Sequence, residues 1–313
     1  MKPSLFFFAL CLVIALGASA SAQTHAWQPS PGHTQVPIWP GQPPDAQPSA
    51  GAEDMVVNNA PVAGKPWFRV GKVSQPTMTV YSPGGKNTGA AVVVFPGGGY
   101  WILAMDLEGT EVCDWLTSKG ITCVLLKYRV PGDRLLPKTG PYPQSPVALE
   151  DAQRTMGLVR LHAAEWHIDP HKIGVLGFSA GGHLVAAIST HYGQRLYPAV
   201  DAADQQSCRP DFAVGLYPAD LSVAGNGLAL NPDVPVTGET PPTFLLQNED
   251  DTVTPVDNVL SYYVALKKAV VPAELHLYAQ GGHGIGLRRT NLPVTGWPQL
   301  VETWLGTIGM IAQ

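Results

Sequence analysis

Seven short β-rich runs, separated by stretches of helical pattern, limit the fold of this chain more than any other feature. The runs lie at residues 78–81, 91–95, 121–128, 173–178, 212–217, 243–247 and 274–278. Several are apolar throughout, which is typical of strands covered on both faces. The clearest helical stretch has apolar residues three and four positions apart, namely Ala148, Ala152, Met156, Val159, Ala163 and Trp166. This alternation predicts an α/β fold with a mostly parallel, doubly wound sheet and helices on both faces.

The sequence Gly-Phe-Ser-Ala-Gly at residues 177–181 lies where one of these strands ends. An apolar strand precedes it and a helical run follows at 182–192, which is the strand-turn-helix context of a nucleophile elbow. Small residues at Gly177 and Gly181 let the strand and the helix approach closely, and the helix N-terminus supplies N–H donors near a developing oxyanion. The pattern predicts that Ser179 is a catalytic nucleophile.

A serine nucleophile needs a base, and in folds with this elbow the chain order is nucleophile, acid and then histidine. Two histidines, His276 and His283, follow the candidate acids. His276 alternates with leucines in a strand pattern, which fixes its side chain within the sheet, whereas His283 lies in a Gly-Gly-His-Gly loop past that strand. The sequence therefore predicts His283 as the general base. His183 is assigned a structural role because it lies on the helix that follows the elbow.

The acid of such a triad orients the histidine and stabilises the imidazolium. Asp250 and Asp251 follow the strand at 243–247 and precede a helix, so both lie in a strand-end loop in the required chain order. We expect Asp251 to be the triad acid, with Asp250 as the alternative. Asp220, at the end of the preceding strand, is the third candidate.

An oxyanion hole needs two preorganised backbone donors. The run Phe-Pro-Gly-Gly-Gly-Tyr at 95–100 follows a strand at the place where lipases and esterases carry a glycine-rich loop. The predicted donors are the amides of Gly98, Gly99 and Ala180. A phosphate-binding loop is excluded here, since neither a following Gly-Lys-Ser/Thr nor a G-x-G-x-x-G pattern is present.

Several other polar and aromatic residues lie near these motifs in the sequence. Tyr100 and Trp101 follow the predicted oxyanion hole, where they could form an apolar or sugar-stacking wall for a substrate. Asp106 and Glu108 are interpreted as caps of a helix that begins near residue 109. Arg288 is interpreted as a solvated side chain.

Together these motifs resemble the bacterial α/β-hydrolases grouped with acetyl xylan and feruloyl esterases. The resemblance covers about residues 65–290 and rests on the runs at 94–100, 106–109, 126–129, 151–154, 177–183, 249–255 and 281–284. It implies an α/β-hydrolase fold and hydrolysis of acyl groups on plant-type polysaccharides or their oligomers. Relatives are often labelled xylanases, a label that the fold does not support. The chain departs from the family pattern at Gln247 and Asn248, and Thr254 before Pro255 is a further difference.

The expected function is a serine carboxylesterase that hydrolyses short, acetyl-type esters on hemicellulose-derived carbohydrates through a Ser-His-Asp triad and an acyl-enzyme. A feruloyl esterase or an α/β-hydrolase peptidase would use the same triad and remains an alternative. A glycosidase needs two facing carboxylates instead. A non-catalytic carbohydrate-binding protein would have no reason to keep the elbow, acid, base and glycine loop together. The chemistry requires neither a metal nor an organic cofactor.

The N-terminal residues have the pattern of a signal peptide. A lysine precedes an apolar run at 5–16 and an Ala-Ser-Ala cleavage site at 20–22, and the run is shorter than the ~20 residues of a membrane span. We therefore expect a cleaved signal at 1–22 and a secreted or periplasmic protein. A Pro-rich extended arm is predicted at 23–64 and the catalytic domain at 65–313.

The charge pattern constrains the partners. The net charge of −5 is spread without basic runs, so nucleic acid is not an expected partner, nor is a membrane once the signal has been removed. An acylated carbohydrate or another small ester is the expected partner.

Three cysteines remain beyond the signal, and their spacing fits no zinc pattern. Cys113 and Cys123 lie in a helical run and a strand-like run, respectively. We expect both to be buried small apolar residues rather than a disulfide. Cys208 is the third.

Overall fold

The computed structural model describes residues 26–46, 51–132 and 146–312, so the predicted signal peptide at 1–22 lies outside the described residues. The main sheet has eight strands. They are β1 (Gln35–Pro37), β4 (Thr77–Tyr81), β5 (Ala91–Phe95), β7 (Thr122–Lys127), β8 (Ile173–Phe178), β9 (Ala213–Leu216), β10 (Thr243–Asn248) and β11 (Ala273–Tyr278). Their order across the sheet is β1-β4-β7-β5-β8-β9-β10-β11.

The six strands from β7 to β11 in this order are parallel. Strand β4 runs antiparallel to β7, and the edge strand β1 pairs antiparallel to β4. Each of the seven runs identified in the sequence is a strand, with ends shifted by two residues at most. Every residue of β5, β7, β8, β9 and β10 is buried. Continuous burial explains why β5, β8 and β9 are apolar throughout. The predicted mostly parallel α/β fold is confirmed.

The helices cover both faces of this sheet. They are α1 (Glu111–Ser118), α2 (Pro146–Leu161), α3 (Ala180–Thr190), α4 (Asp257–Lys268) and α5 (Trp297–Thr307). Because successive strand residues point to opposite faces, the last two residues of β8 identify the two layers. A Cβ at Gly177 would lie 3.0 Å from Val185 of α3, whereas the ring of Phe178 lies 5.9 Å from that of Trp297 in α5. Helices α3 and α5 therefore lie on opposite faces.

A second, three-stranded sheet was not predicted. It consists of β2 (Asp54–Val62), β3 (Lys65–Gly71) and β6 (Ile102–Ala104), with β3 paired antiparallel to both neighbours. The predicted boundary at residue 64 falls in the turn between β2 and β3, where Ala63 and Gly64 both have positive φ. The Pro-rich range 23–64 thus contains both β1 and β2. Strand β1 ends at Pro37 on the sheet edge, where a proline is tolerated because fewer ladder hydrogen bonds are needed.

Buried charged side chains attach the N-terminal segment to the main sheet. The carboxylate of Asp151, fully buried on α2, accepts the indole N–H of Trp39 at 2.9 Å and Nε–H of Arg129 at 3.0 Å. Arg154, also on α2, donates Nε–H to the carbonyl of Ile38 at 2.8 Å. Hydrogen bonds to ionised groups are about twice as strong as neutral ones, so this cluster holds the segment against α2.

The expectation that Cys113 and Cys123 are separate thiols is wrong. Their sulfurs form a disulfide between α1 and β7, with the Cα atoms 5.1 Å apart. The short connection from α1 to β7 brings the two residues face to face, and pattern analysis of each element alone does not reveal such a contact. Cys208 is a buried free thiol, and burial raises its pKa. None of the helices described here is long and apolar enough to cross a membrane.

Candidate active site

Ser179 lies in a sharp turn between β8 and α3. Its backbone has φ 53° and ψ −119°, a strained combination for a residue with a side chain. Gly177 and Gly181 must be glycines because a side chain at either position would clash with a neighbouring carbonyl oxygen. A Cβ at Gly177 would lie 2.2 Å from the carbonyl oxygen of Gly181, and a Cβ at Gly181 would lie 2.0 Å from that of Phe95. The local sequence therefore forms the elbow that its pattern predicts.

The structure brings Ser179, His283 and Asp251 together from three separate loops. Nε2 of His283 lies 3.0 Å from Oγ of Ser179, and Nδ1 lies 2.7 Å from Oδ2 of Asp251. The Asp251 side chain is inaccessible to solvent, while that of His283 is 19% exposed. A neutral imidazole that donates from Nδ1 can accept the serine proton at Nε2, which is the geometry of base-assisted nucleophilic attack.

The neighbouring aspartates have other positions. Oδ1 of Asp250 accepts the backbone N–H of Gly282 at 2.8 Å, so this side chain supports the loop that carries His283. Asp220 follows β9 and is exposed to solvent. Of the three acids considered in the sequence, Asp251 is the one whose carboxylate contacts the imidazole.

The Asp251 carboxylate accepts several hydrogen bonds. Besides His283, its donors are the amides of Val253 and Thr254 at 2.8 and 3.0 Å, the Thr254 hydroxyl at 2.8 Å and the Gln247 amide at 3.2 Å. Burial raises the pKa of Asp251, but the bond from His283 and the Thr254 and Val253 amides outweigh it, and the pKa is lowered overall. The carboxylate is therefore held ionised.

The glycine loop after β5 lies against the nucleophile. A Cβ at Gly97 would lie 3.0 Å from Cβ of Ser179, and one at Gly98 would lie 2.0 Å from the carbonyl oxygen of Ile102. Gly98 and Gly99 have φ of 135° and 63°, which are strained for other residues. The third predicted donor, Ala180, is the first residue of α3, where amides lack intrahelical acceptors. The assignment of these three amides to an oxyanion hole stays a prediction.

Glu108 is an additional residue at this site that the sequence did not identify. It lies in a π-helical turn, Asp106–Thr110, and is 4% exposed. Its Oε2 accepts the amide of Gly97 at 2.8 Å and its Oε1 accepts the hydroxyl of Tyr217 at 2.8 Å. Burial raises the pKa of Glu108, while the bond from Tyr217, the charge of His283 and the bond from Gly97 oppose that rise. The expectation that Glu108 caps a helix is wrong, because its partners lie on other elements.

The interpretation of Tyr100 as a substrate wall is also wrong. Its side chain is 2% exposed, and its hydroxyl lies 2.8 Å from Nδ1 of His183, itself buried on α3. The backbone φ of 59° at Tyr100 turns this ring into the core instead of the site. Trp101 is partly exposed, and its role as a wall stays a prediction.

Arg288, interpreted as solvated, is instead 9% exposed and structural. It donates to the Glu111 carboxylate at 2.7 Å and to the carbonyl of Lys65 at 2.7 Å, which attaches the β2–β3 hairpin to α1. Within the described ranges, no three His, Cys, Asp or Glu side chains are grouped so as to hold a metal ion.

Comparison of this chain with known proteins identifies a matching family model and related sequences. The family model BD-FAE matches residues 78–219, a range that includes the glycine loop and Ser179. The acetylxylan esterase of Xylanibacter ruminicola is 32% identical over 222 residues. That match covers 64% of this chain and 42% of the relative, so the chain spans less than half the length of this curated protein.

Solved structures match more of the chain. An acetyl ester-xyloside bifunctional hydrolase from Caldicellulosiruptor lactoaceticus is 34% identical with a TM-score of 0.69, and the match covers 89% of this chain and 97% of that one. Esterase 2 of Thermogutta terrifontis, solved phosphorylated by paraoxon, is 25% identical with a TM-score of 0.63, covering 83% and 96%. These relatives agree with the predicted enzyme class, a serine hydrolase acting on ester bonds.

Proposed function

This chain belongs to the α/β-hydrolase family of acetyl xylan esterases, as its sequence predicts, and we propose that it is a serine carboxylesterase that removes short acyl groups from hemicellulose-derived carbohydrates. The observation that carries the proposal is the contact between Nε2 of His283 and Oγ of Ser179 at 3.0 Å, with Asp251 on the other ring nitrogen. Relatives named for acetyl ester hydrolysis support an acetyl group as the acyl substrate.

In the proposed mechanism, His283 takes the proton of Ser179 as Oγ attacks the ester carbonyl carbon. The amides of Gly98, Gly99 and Ala180 stabilise the oxyanion of the tetrahedral intermediate. The imidazolium, stabilised by Asp251, then protonates the leaving alcohol oxygen, and the C–O bond breaks to give an acyl-enzyme. In the second half, His283 takes a proton from a water molecule as that water attacks the acyl carbon. The bond between Oγ and the acyl carbon then breaks, the carboxylic acid leaves, and the imidazolium returns the proton to Oγ of Ser179.

The segment at 221–239 supports a preference for short acyl groups on bulky sugars. It follows β9 near the site and contains a tight turn in which the amide of Val223 bonds to the carbonyl of Ala229 at 2.9 Å. No residue of this segment is helical. An enclosed apolar tunnel for long acyl chains needs a substantial cover, and a turn rich in glycine and proline is not an amphipathic lid helix.

We also propose that residues 1–22 direct export and are removed, so that the mature chain begins at Gln23. Polymeric acetylated carbohydrate is then accessible to the enzyme outside the cytoplasm. Sequencing the N-terminus of protein recovered from the medium or periplasm tests this. An intact Met1 would contradict it.

Substrate profiling of the purified full chain tests the function. The panel consists of nitrophenyl esters from acetate to decanoate, acetylated xylan, methyl ferulate and a peptide anilide, with Ser179→Ala as the matched control. We expect acetate esters to have the highest kcat/KM, acetate to be released from acetylated xylan, and the control to be inactive. Faster turnover of decanoate, of ferulate or of the peptide would reassign the substrate class. Cutting of deacetylated xylan would contradict the esterase assignment.

A further inference from the structure

Glu108 is a buried carboxylate that no step of the proposed mechanism uses. Its two oxygens face different parts of the site, because Oε2 accepts the amide of Gly97 and Oε1 accepts the hydroxyl of Tyr217, both at 2.8 Å. Gly97 begins the loop of predicted oxyanion donors and lies against Ser179. One side chain thus contacts the segment that would bind the oxyanion.

The other oxygen of Glu108 connects to the base. The ring of Tyr217, just past β9, packs edge-on against the imidazole of His283 with centroids 5.0 Å apart. Its hydroxyl accepts the amide of Gly286 at 3.1 Å, three residues beyond His283. The turn that carries Glu108 packs tightly there, since a Cβ at Gly286 would lie 2.6 Å from the carbonyl of Leu107. Tyr217 therefore relays the position of Glu108 to the histidine loop.

We propose that Glu108 is a positioning residue that fixes the glycine loop against Ser179 and holds Tyr217 against His283. The inference rests on the proposed esterase function. A carboxylate suits this place because its two oxygens accept from two converging donors, the Gly97 amide and the Tyr217 hydroxyl. Glutamine has nearly the same shape, but its NH₂ group would face one of these donors. A buried donor that has no acceptor destabilises the folded state.

The effect of losing this carboxylate is specific to the transition state. The amides of the glycine loop meet full negative charge only when the carbonyl becomes tetrahedral, so a small displacement of the loop weakens that state more than the bound ester. A variant with a displaced loop is therefore expected to lose kcat while KM stays nearly constant.

The test is Glu108→Gln in the full chain, assayed with nitrophenyl acetate. We expect kcat to fall about ten- to hundred-fold with KM changed less than about threefold. A short-chain trifluoromethyl ketone, which forms a tetrahedral adduct with the serine, should bind more weakly by the same factor as kcat/KM falls. The matched control is Glu111→Gln, which makes the same chemical change three residues later at a side chain that contacts Arg288 instead of the loop.

Tyr217→Phe gives a second test that does not depend on how well the Glu108 variant folds. It keeps the ring against His283 but removes the hydroxyl donor, so kcat and ketone affinity should fall together by several-fold, and Glu108→Gln should have a smaller effect in this background.

An unchanged kcat in Glu108→Gln or in Tyr217→Phe, with an active wild type, would overturn this inference alone. So would a loss of kcat without weaker ketone binding. A wild type without esterase turnover would overturn the proposed function instead.

Discussion

The hydroxyl of Thr254 donates to Oδ2 of Asp251 across 2.8 Å, the same oxygen that lies 2.7 Å from Nδ1 of His283. Thr254 also donates its backbone amide to Oδ1 at 3.0 Å. Both oxygens of the carboxylate are thus fixed by one neighbour, which sets the plane in which the carboxylate meets the imidazole. The residue before Pro255 is therefore part of the support of the triad.

Thr254→Val removes that hydroxyl while keeping the shape of the side chain. We expect kcat for acetate esters to fall several-fold and the free energy of unfolding to drop by about 1 kcal/mol, the value of one hydrogen bond. Thr254→Ser keeps the hydroxyl and serves as the control, with kcat close to wild type. Equal losses in both variants would show that the effect does not depend on the hydroxyl, which would contradict the prediction. Steady-state kinetics and urea unfolding give the two quantities.

Asp251→Asn and Asp250→Asn separate the two adjacent aspartates. Only the carboxylate beside Nδ1 of His283 sets the tautomer, so Asp251→Asn should reduce kcat by about three to four orders of magnitude. Asp250→Asn weakens the bond to the Gly282 amide and should cost tenfold at most. The reverse ranking would make Asp250 the triad acid. Both variants are compared by kcat at saturating acetate ester.

The contact between Asp201 and Arg154 predicts a loss of stability in acid. The hydrogen bond from Arg154 lowers the pKa of Asp201 from 3.8 to about 2. Because its pKa is lowered, the Asp201 carboxylate stabilises the fold at pH values above its ordinary pKa. This contribution to stability is lost as the pH falls towards 2. Asparagine cannot titrate. The difference in unfolding free energy between wild type and Asp201→Asn should therefore shrink as the pH falls from 3.8 to about 2. Urea unfolding at several pH values measures it, and a constant difference would contradict the prediction.

The parts of the site that could be predicted are those encoded in local sequence. The elbow at Ser179 needs small residues at fixed offsets between a strand and a helix, and all of this lies within one short segment. Chain order and loop context then single out His283. The parallel strands β5, β8 and β9 were predictable because burial on both faces makes them continuously apolar.

The parts that could not be predicted depend on contacts between distant segments. The disulfide from Cys113 joins a helix to a strand. Glu108 looks like a helix cap in sequence, but its partners lie on two other elements. Tyr100 directly follows the glycine loop in sequence, but its side chain is buried and its hydroxyl contacts His183 on α3. The β2–β3 hairpin lacks a clear alternating pattern because its residues are mostly half-buried or exposed.

The role of Ser179 is tested most directly by locating the covalent adduct formed with paraoxon, using mass spectrometry of the digested chain. We predict one phosphoryl group per chain, on the peptide that contains Ser179, in parallel with loss of acetate ester hydrolysis. Ser179→Ala should remain unmodified. An adduct on another residue, or equal labelling of wild type and Ser179→Ala, would contradict the assignment of Ser179 as the nucleophile.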